Sequence, residues 1–100
     1  MVRHIVMWKF RATAEGRTRE ENLSKAKVLL ESLKNHIPEI RSLEVGIDVS
    51  HTDSSYDLVL LSEFTDARAL SAYQKHPAHV DVVEFLRKVH GGRIIVDHTV

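Results

Sequence analysis

The sequence contains no cysteine, which rules out a disulfide framework, a thiol nucleophile and any cysteine-ligated metal. It has only two prolines, Pro38 and Pro77, and each marks a break in a helix-like pattern. There is no excess of charge, because fourteen basic and fourteen acidic side chains cancel and no basic block occurs. Phosphate binding needs a concentrated positive face, so the composition argues against nucleic acid as a partner. Long hydrophobic runs are also missing. Arg3 and His4 precede only a short apolar run, broken by Lys9 and Arg11, which fits neither a signal peptide nor a membrane span. The expectation is a cytoplasmic protein that does not partner a membrane. The rest, 43% hydrophobic and 28% charged over 100 residues, describes one globular domain across 1–100 with a modest core.

The chain opens on a strand. Between Val2 and Phe10, strict alternation puts Val2, His4, Val6, Trp8 and Phe10 on one face and Arg3, Ile5, Met7, Lys9 and Arg11 on the other. The first face is apolar except for His4, which places that histidine in or beside a core. The second face has an apolar centre with charged ends, as though it too were partly covered. Such a strand is buried on one side within its own subunit and on the other by a partner.

Residues 12–17 are small and polar and read as a loop. Thr18 with Glu21 three positions later matches a capping box, and Leu23, Ala26, Leu30, Leu33 and Ile37 follow at helical spacing. Pro38 stops this first helix, placed at 18–36, because the residue before a proline disfavours helical geometry. Leu43, Val45, Ile47 and Val49 alternate with polar or small residues as a second strand, and 50–55 is loop. Tyr56 to Phe64 is a third strand whose short connection argues for an antiparallel pair. Thr65 or Asp66 caps a helix over 66–75, and Pro77 opens another that runs to Val89. Gly91-Gly92 is expected to end that helix, and Arg93 to Val100 to form the last strand.

The order β-α-β-β-α-β is that of the ferredoxin-like α+β fold, a four-stranded antiparallel sheet with helices on one face. The other face, with Val59 and Leu61 on the third strand, needs covering. Two such sheets placed face to face would make a dimeric α+β barrel, so a homodimer through the open sheet face is expected.

The stretch Tyr73-Gln74-Lys75-His76-Pro77-Ala78-His79-Val80 holds the chemistry. Histidine titrates nearest working pH and is the usual proton-transfer residue, and Tyr73 is close enough in sequence to hold a reacting oxygen. The structural alternative is that His76-Pro77 forms a helix junction with its imidazole closing an orphan backbone group. His76, directly before Pro77, fits the junction role better than His79 does. Tyr73 at helical spacing also fits a plain core position with a paired hydroxyl, His4 a satisfied core histidine, and Asp97 a simple pairing with a neighbouring histidine. No metal site is expected: His76 and His79 supply two ligands, and no third follows from spacing. His36, His51 and His90 read as solvated side chains at helix ends or in the loop. Nothing in the sequence calls for haem, flavin or another cofactor.

Taken together, the strand Val2-Arg3-His4-Ile5-Val6-Met7-Trp8-Lys9-Phe10, the segments Ile37-Pro38-Glu39-Ile40, Leu43-Glu44-Val45-Gly46 and Tyr56-Asp57-Leu58, the block Tyr73 to Val80 and the closing Val96-Asp97 resemble the stress-responsive α/β-barrel domain family. The resemblance covers the whole chain in order. It implies a dimeric α+β barrel, and it implies no single activity, since many members are known only as stress-induced proteins. One enzymatic member is a plant polyketide cyclase that makes olivetolic acid by aldol condensation without a cofactor.

By that resemblance, its histidine and tyrosine fall on His79 and Tyr73 as catalytic residues. His4, Val6, Trp8 and Asp97 fall in its pocket. In this chemistry neutral His79 takes a proton from carbon beside a carbonyl, Asp97 holds its other ring nitrogen, and Tyr73 donates to the carbonyl oxygen. The implied ligand is a small, apolar, carbonyl-containing molecule. Helix 1 offers Leu23, Ala26 and Lys27 where the cyclase carries aromatic residues, so the polyketide itself is not implied. Two further readings stay open: a non-catalytic stress-associated dimer, and a cofactor-independent monooxygenase-like barrel in which Trp8 takes part.

Overall fold

The computed structural model describes residues 1–100. Strand β1, Val2–Phe10, leads into a small hairpin of β2, Thr13–Ala14, and β3, Arg17–Thr18. The hairpin corrects the expectation of a plain loop over 12–17. Glu15 and Gly16 both take positive φ, 54° and 74°, as in the tight two-residue turns that suit a twisted ribbon. Asn22, wholly buried, fastens this hairpin to the next helix. Its amide donates to the Ala14 carbonyl at 3.1 Å, and its oxygen accepts from Arg17 Nε at 2.8 Å.

Helix α1, Arg19–Ser32, begins where the capping box predicts. Glu21 N–H donates to Thr18 Oγ1 at 3.2 Å, and Thr18 N–H donates to the Glu21 carboxylate at 2.9 Å. A single 3-10 turn, Leu33–Asn35, finishes it before Pro38. Strand β4, Ser42–Ile47, stops two residues earlier than the alternation suggests, and Val49 lies exposed in the following loop. Strand β5, Leu58–Phe64, begins after Tyr56 and Asp57, whose backbone is spent elsewhere: Asp57 N–H donates to the Trp8 carbonyl at 2.8 Å. Asp66 caps α2, Ala67–Lys75, through its carboxylate and the Ala69 N–H. Helix α3, Pro77–Val89, and strand β6, His90–Thr99, complete the chain.

The main sheet is antiparallel throughout, in the order β4-β5-β1-β6. This is the ferredoxin-like arrangement. The helices cover one face, and the core lies between them: Val6, Trp8, Val45, Leu58 and Leu60 from the sheet meet Leu23, Leu30, Tyr73, Val82 and Leu86 from the helices. The other face is bare. Its centre carries two cross-strand rows, Leu61–Ile5–Val96 and Val59–Met7–Ile94, with Met7, Leu61, Ile94 and Val96 all exposed. A polar row, Ser42–Glu63–Arg3–His98, closes one end, with Arg3 Nε on Glu63 at 2.9 Å. No helix is long and apolar enough to cross a membrane.

Gly91 and Gly92 do not terminate α3 in the expected way. Neither takes positive φ, and both lie inside β6, which starts at His90. The pairing with β1 slips there: Lys9 faces Gly92, Phe10 faces His90, and Gly91 has no partner. This is a β-bulge, a feature that glycine in a strand interior often marks.

Candidate active site

Around His76-Pro77 one helix ends and another begins, instead of a single helix running through. Pro77 has no N–H to donate back to α2, and its ring forces His76 into extended backbone, φ −65° and ψ 136°. His76 then acts as the N-cap of α3, its Nδ1 accepting from Ala78 N–H at 3.1 Å. That N–H is the one a continuous helix would have sent to the Gln74 carbonyl. The carbonyl is instead occupied by His79, whose Nδ1–H donates to it at 3.0 Å. With the proton held at Nδ1, neutral His79 keeps its lone pair at Nε2.

The His79 ring lies against Tyr73, with centroids 4.4 Å apart. Tyr73 is completely buried and also touches Phe64 and His4, at 4.9 and 6.0 Å between centroids. Its hydroxyl has no hydrogen-bond partner. Burial pushes its pKa well above the ordinary tyrosine value, so the hydroxyl stays a proton donor. Desolvation lowers the pKa of His79. The Gln74 carbonyl opposes that, and the charges of His4, Arg93 and His76 reinforce it. The site therefore pairs a neutral imidazole with a protonated phenol.

Asp97 sits elsewhere than the resemblance implies. In the register of β1 and β6 it lies directly across from His4, and its carboxylate meets His4 Nδ1 at 2.5 Å. His79 draws its orientation from a backbone carbonyl and has no carboxylate on its ring. His4 is buried, donates from Nδ1 to Asp97, and is left with Nε2 as its remaining polar atom.

These groups border a cavity of about 90 Å³ between the sheet and α3, room for several water molecules. His4, Val6 and Trp8 line it from β1, and Tyr73 and His79 from the helices. Leu30, Leu60, Val82 and Leu86 make its apolar wall. The helices leave the inner face of β6 uncovered, so Arg93, Ile95 and Asp97 there remain exposed. His76 and Pro77 do not line the cavity; they belong to the joint. No cluster of three histidine or acidic side chains is placed to hold a metal ion.

Among the lining residues that the sequence did not point to are His90 and Arg93. Three positions apart on a regular strand, they would point to opposite faces. The bulge at Gly91 turns both toward the cavity, with His90 opposite Phe10 and Arg93 opposite Trp8. His90, expected in solvent, is half-buried, and its Nδ1 has no partner. Desolvation, followed by the charges of Arg93, Arg11 and Arg87, lowers its pKa. The signal that could have found these residues is the glycine pair, read as a bulge rather than a helix stop.

The model of the stress responsive A/B barrel domain matches residues 2–100. The chain belongs to that family. This stress responsive A/B barrel protein is also similar to several solved structures. A dimeric protein of unknown function and ferredoxin-like fold from Bacteroides fragilis is 29% identical, with 99% of this chain and 95% of that one covered and a TM-score of 0.84. A dimeric ferredoxin-like protein of unknown function from Jannaschia is 26% identical, with coverage of 99% and 98% and a TM-score of 0.75. The hydroxynitrile lyase of Passiflora edulis, 15% identical with coverage of 99% and 92% and a TM-score of 0.81, shares the fold. No curated protein matches the sequence.

Proposed function

We propose that this A/B barrel protein is a homodimer whose cavity binds a small carbonyl compound and moves a proton on the carbon next to the carbonyl, without a cofactor. The observation that carries this reading is the buried, unpartnered Tyr73 hydroxyl packed beside a histidine whose free nitrogen is Nε2. A buried tyrosine hydroxyl ordinarily finds a partner. In this pocket the missing partner is the ligand's carbonyl oxygen. As His79 Nε2 takes the α-proton, the C–H electron pair moves into the new C=C bond and negative charge gathers on that oxygen. Tyr73 Oη–H stabilises it, and the imidazolium then returns the proton to carbon or to a leaving oxygen. Cyclase, lyase and isomerase reactions all share this half-reaction. His4, held by Asp97, orients the ligand.

The dimer reading rests on the bare sheet face, which has an apolar centre and a polar end as interfaces do. Two relatives more than a quarter identical to this chain are described as dimeric, which supports it. Against the purely structural reading stands the same hydroxyl: a joint of the fold would have it bonded.

The test is hydrogen–deuterium exchange into butanone in heavy water, followed by NMR. The protein should accelerate α-proton exchange above free imidazole at equal concentration, and His79→Asn should remove roughly 10²-fold or more of that acceleration. No acceleration over imidazole would sink the reading.

A further inference from the structure

The molecule contains two buried polar side-chain atoms with no hydrogen-bond partner, Tyr73 Oη and His90 Nδ1. Both belong to residues that line one cavity. That cavity also has a charge of one sign. Arg87 and Arg93 line it, and no aspartate or glutamate does. Arg87 is engaged by Glu84 at 3.0 Å. Arg3, Arg17 and Arg19 likewise donate to Glu63, Asn22 and the Phe10 carbonyl. Arg93 makes no hydrogen bond and no ion pair, although it stands on a strand beside an apolar wall.

The bulge gives this placement its meaning. A one-residue slip in β6 puts His90 and Arg93 on the same face as Trp8, at the cavity's strand side, while Tyr73 and His79 approach from the helix side. A carbonyl at Tyr73 thus leaves the far end of a short ligand beside a free guanidinium. Charge on Arg93 already reaches both sides, since it contributes to the lowered pKa of His79 and of His90.

We propose that Arg93, with His90 beside it, is a specificity-determining site that selects carbonyl compounds carrying an anionic oxygen group at their other end. This deepens, and rests on, the proton-transfer reading above. The anion satisfies the guanidinium through charge-assisted hydrogen bonds, and His90 supplies a neutral second contact. The chemistry is common to carboxylates and phosphate esters, so the ligand class is a keto acid or a keto phosphate.

The experiment titrates the full-length protein with levulinate, with its neutral methyl ester and with hydroxyacetone phosphate, reading the ring protons of His79 and Tyr73 by NMR. An anion should bind about tenfold more tightly than the ester, the scale of one charge-assisted contact. Whichever anion binds tighter identifies the carboxylate or the phosphate as the source. Arg93→Gln, at an exposed position outside the core, should abolish the advantage of the anion over the ester. Arg93→Lys should restore part of it. Equal binding of ester and anions that nonetheless shifts His79 would overturn the anion site and leave the carbonyl reading standing. No response of His79 or Tyr73 to any of the three would overturn both.

Discussion

A tyrosine hydroxyl with nothing to bond is a cost to the fold. Tyr73 carries that cost at a position with no solvent exposure. Tyr73→Phe removes the hydroxyl and keeps the packing against Phe64 and His79, so thermal stability should hold or rise. If Tyr73 is the oxyanion donor, the same variant should lose about 10²–10³-fold in α-proton exchange. A fall in melting temperature by several degrees would mean that the hydroxyl has a structural partner after all. His79 gives a second prediction at this scale. Its folded-state pKa lies below the ordinary 6.5, so the neutral base is present through neutral pH and down past 6.5. The stability it contributes is full above 6.5 and is lost as pH falls through the lower folded value. An NMR titration of the His79 ring should show its midpoint below 6.5, and the exchange rate should begin to fall only there. Among single residues, the closeness of Tyr73 and His79 was legible because six positions on two helices at a proline joint keep them neighbours. Which histidine Asp97 meets was not, since a strand residue's neighbour is decided by register, and register placed it across from His4.

At the scale of elements, two side chains hold the joint between α2 and α3: His76 caps α3, and His79 bonds the Gln74 carbonyl of α2. His76→Ala removes the N-cap of α3 and should cost about 1 kcal/mol, measured by chemical denaturation. The bulge in β6 is the other device. Deleting Gly91 should make the pairing opposite Phe10 regular and leave His90 and Arg93 two positions apart on one face, so His90 should stay at the cavity, read as a His90 ring that still titrates below the ordinary histidine value. Periodicity revealed every main strand and helix, because alternation and the helical stripe follow directly from which face is buried. It could not reveal the Glu15-Gly16 turn, where a non-glycine residue tolerates positive φ, or the bulge, where one unpaired residue shifts the phase of alternation. Val49 shows the same limit: an apolar residue in phase with a strand is not bound to join it.

At the scale of the molecule, the exposed apolar rows of the open sheet face argue for covering. Leu61→Lys, at the centre of one row, should convert the proposed dimer to monomer in sedimentation at micromolar concentration, because a pair of lysines would be forced together without water. A wild-type protein that sediments as a monomer would refute the face-to-face assembly. This face was legible from the sequence, since Ile5, Met7, Val59 and Leu61 alternate with core residues while no element remains to cover them.

Every strand residue that lines the cavity lies on the helix side of the sheet, and none lies on the bare face. Two subunits joined through their bare faces would therefore hold two self-contained compartments on opposite sides of the particle, with a full sheet between each and the shared seam. Filling one gives the other no direct notice. Ligand binding to such a pair should follow a simple hyperbola with a Hill coefficient of one, and the Leu61→Lys subunit should bind as well alone as its parent does in company.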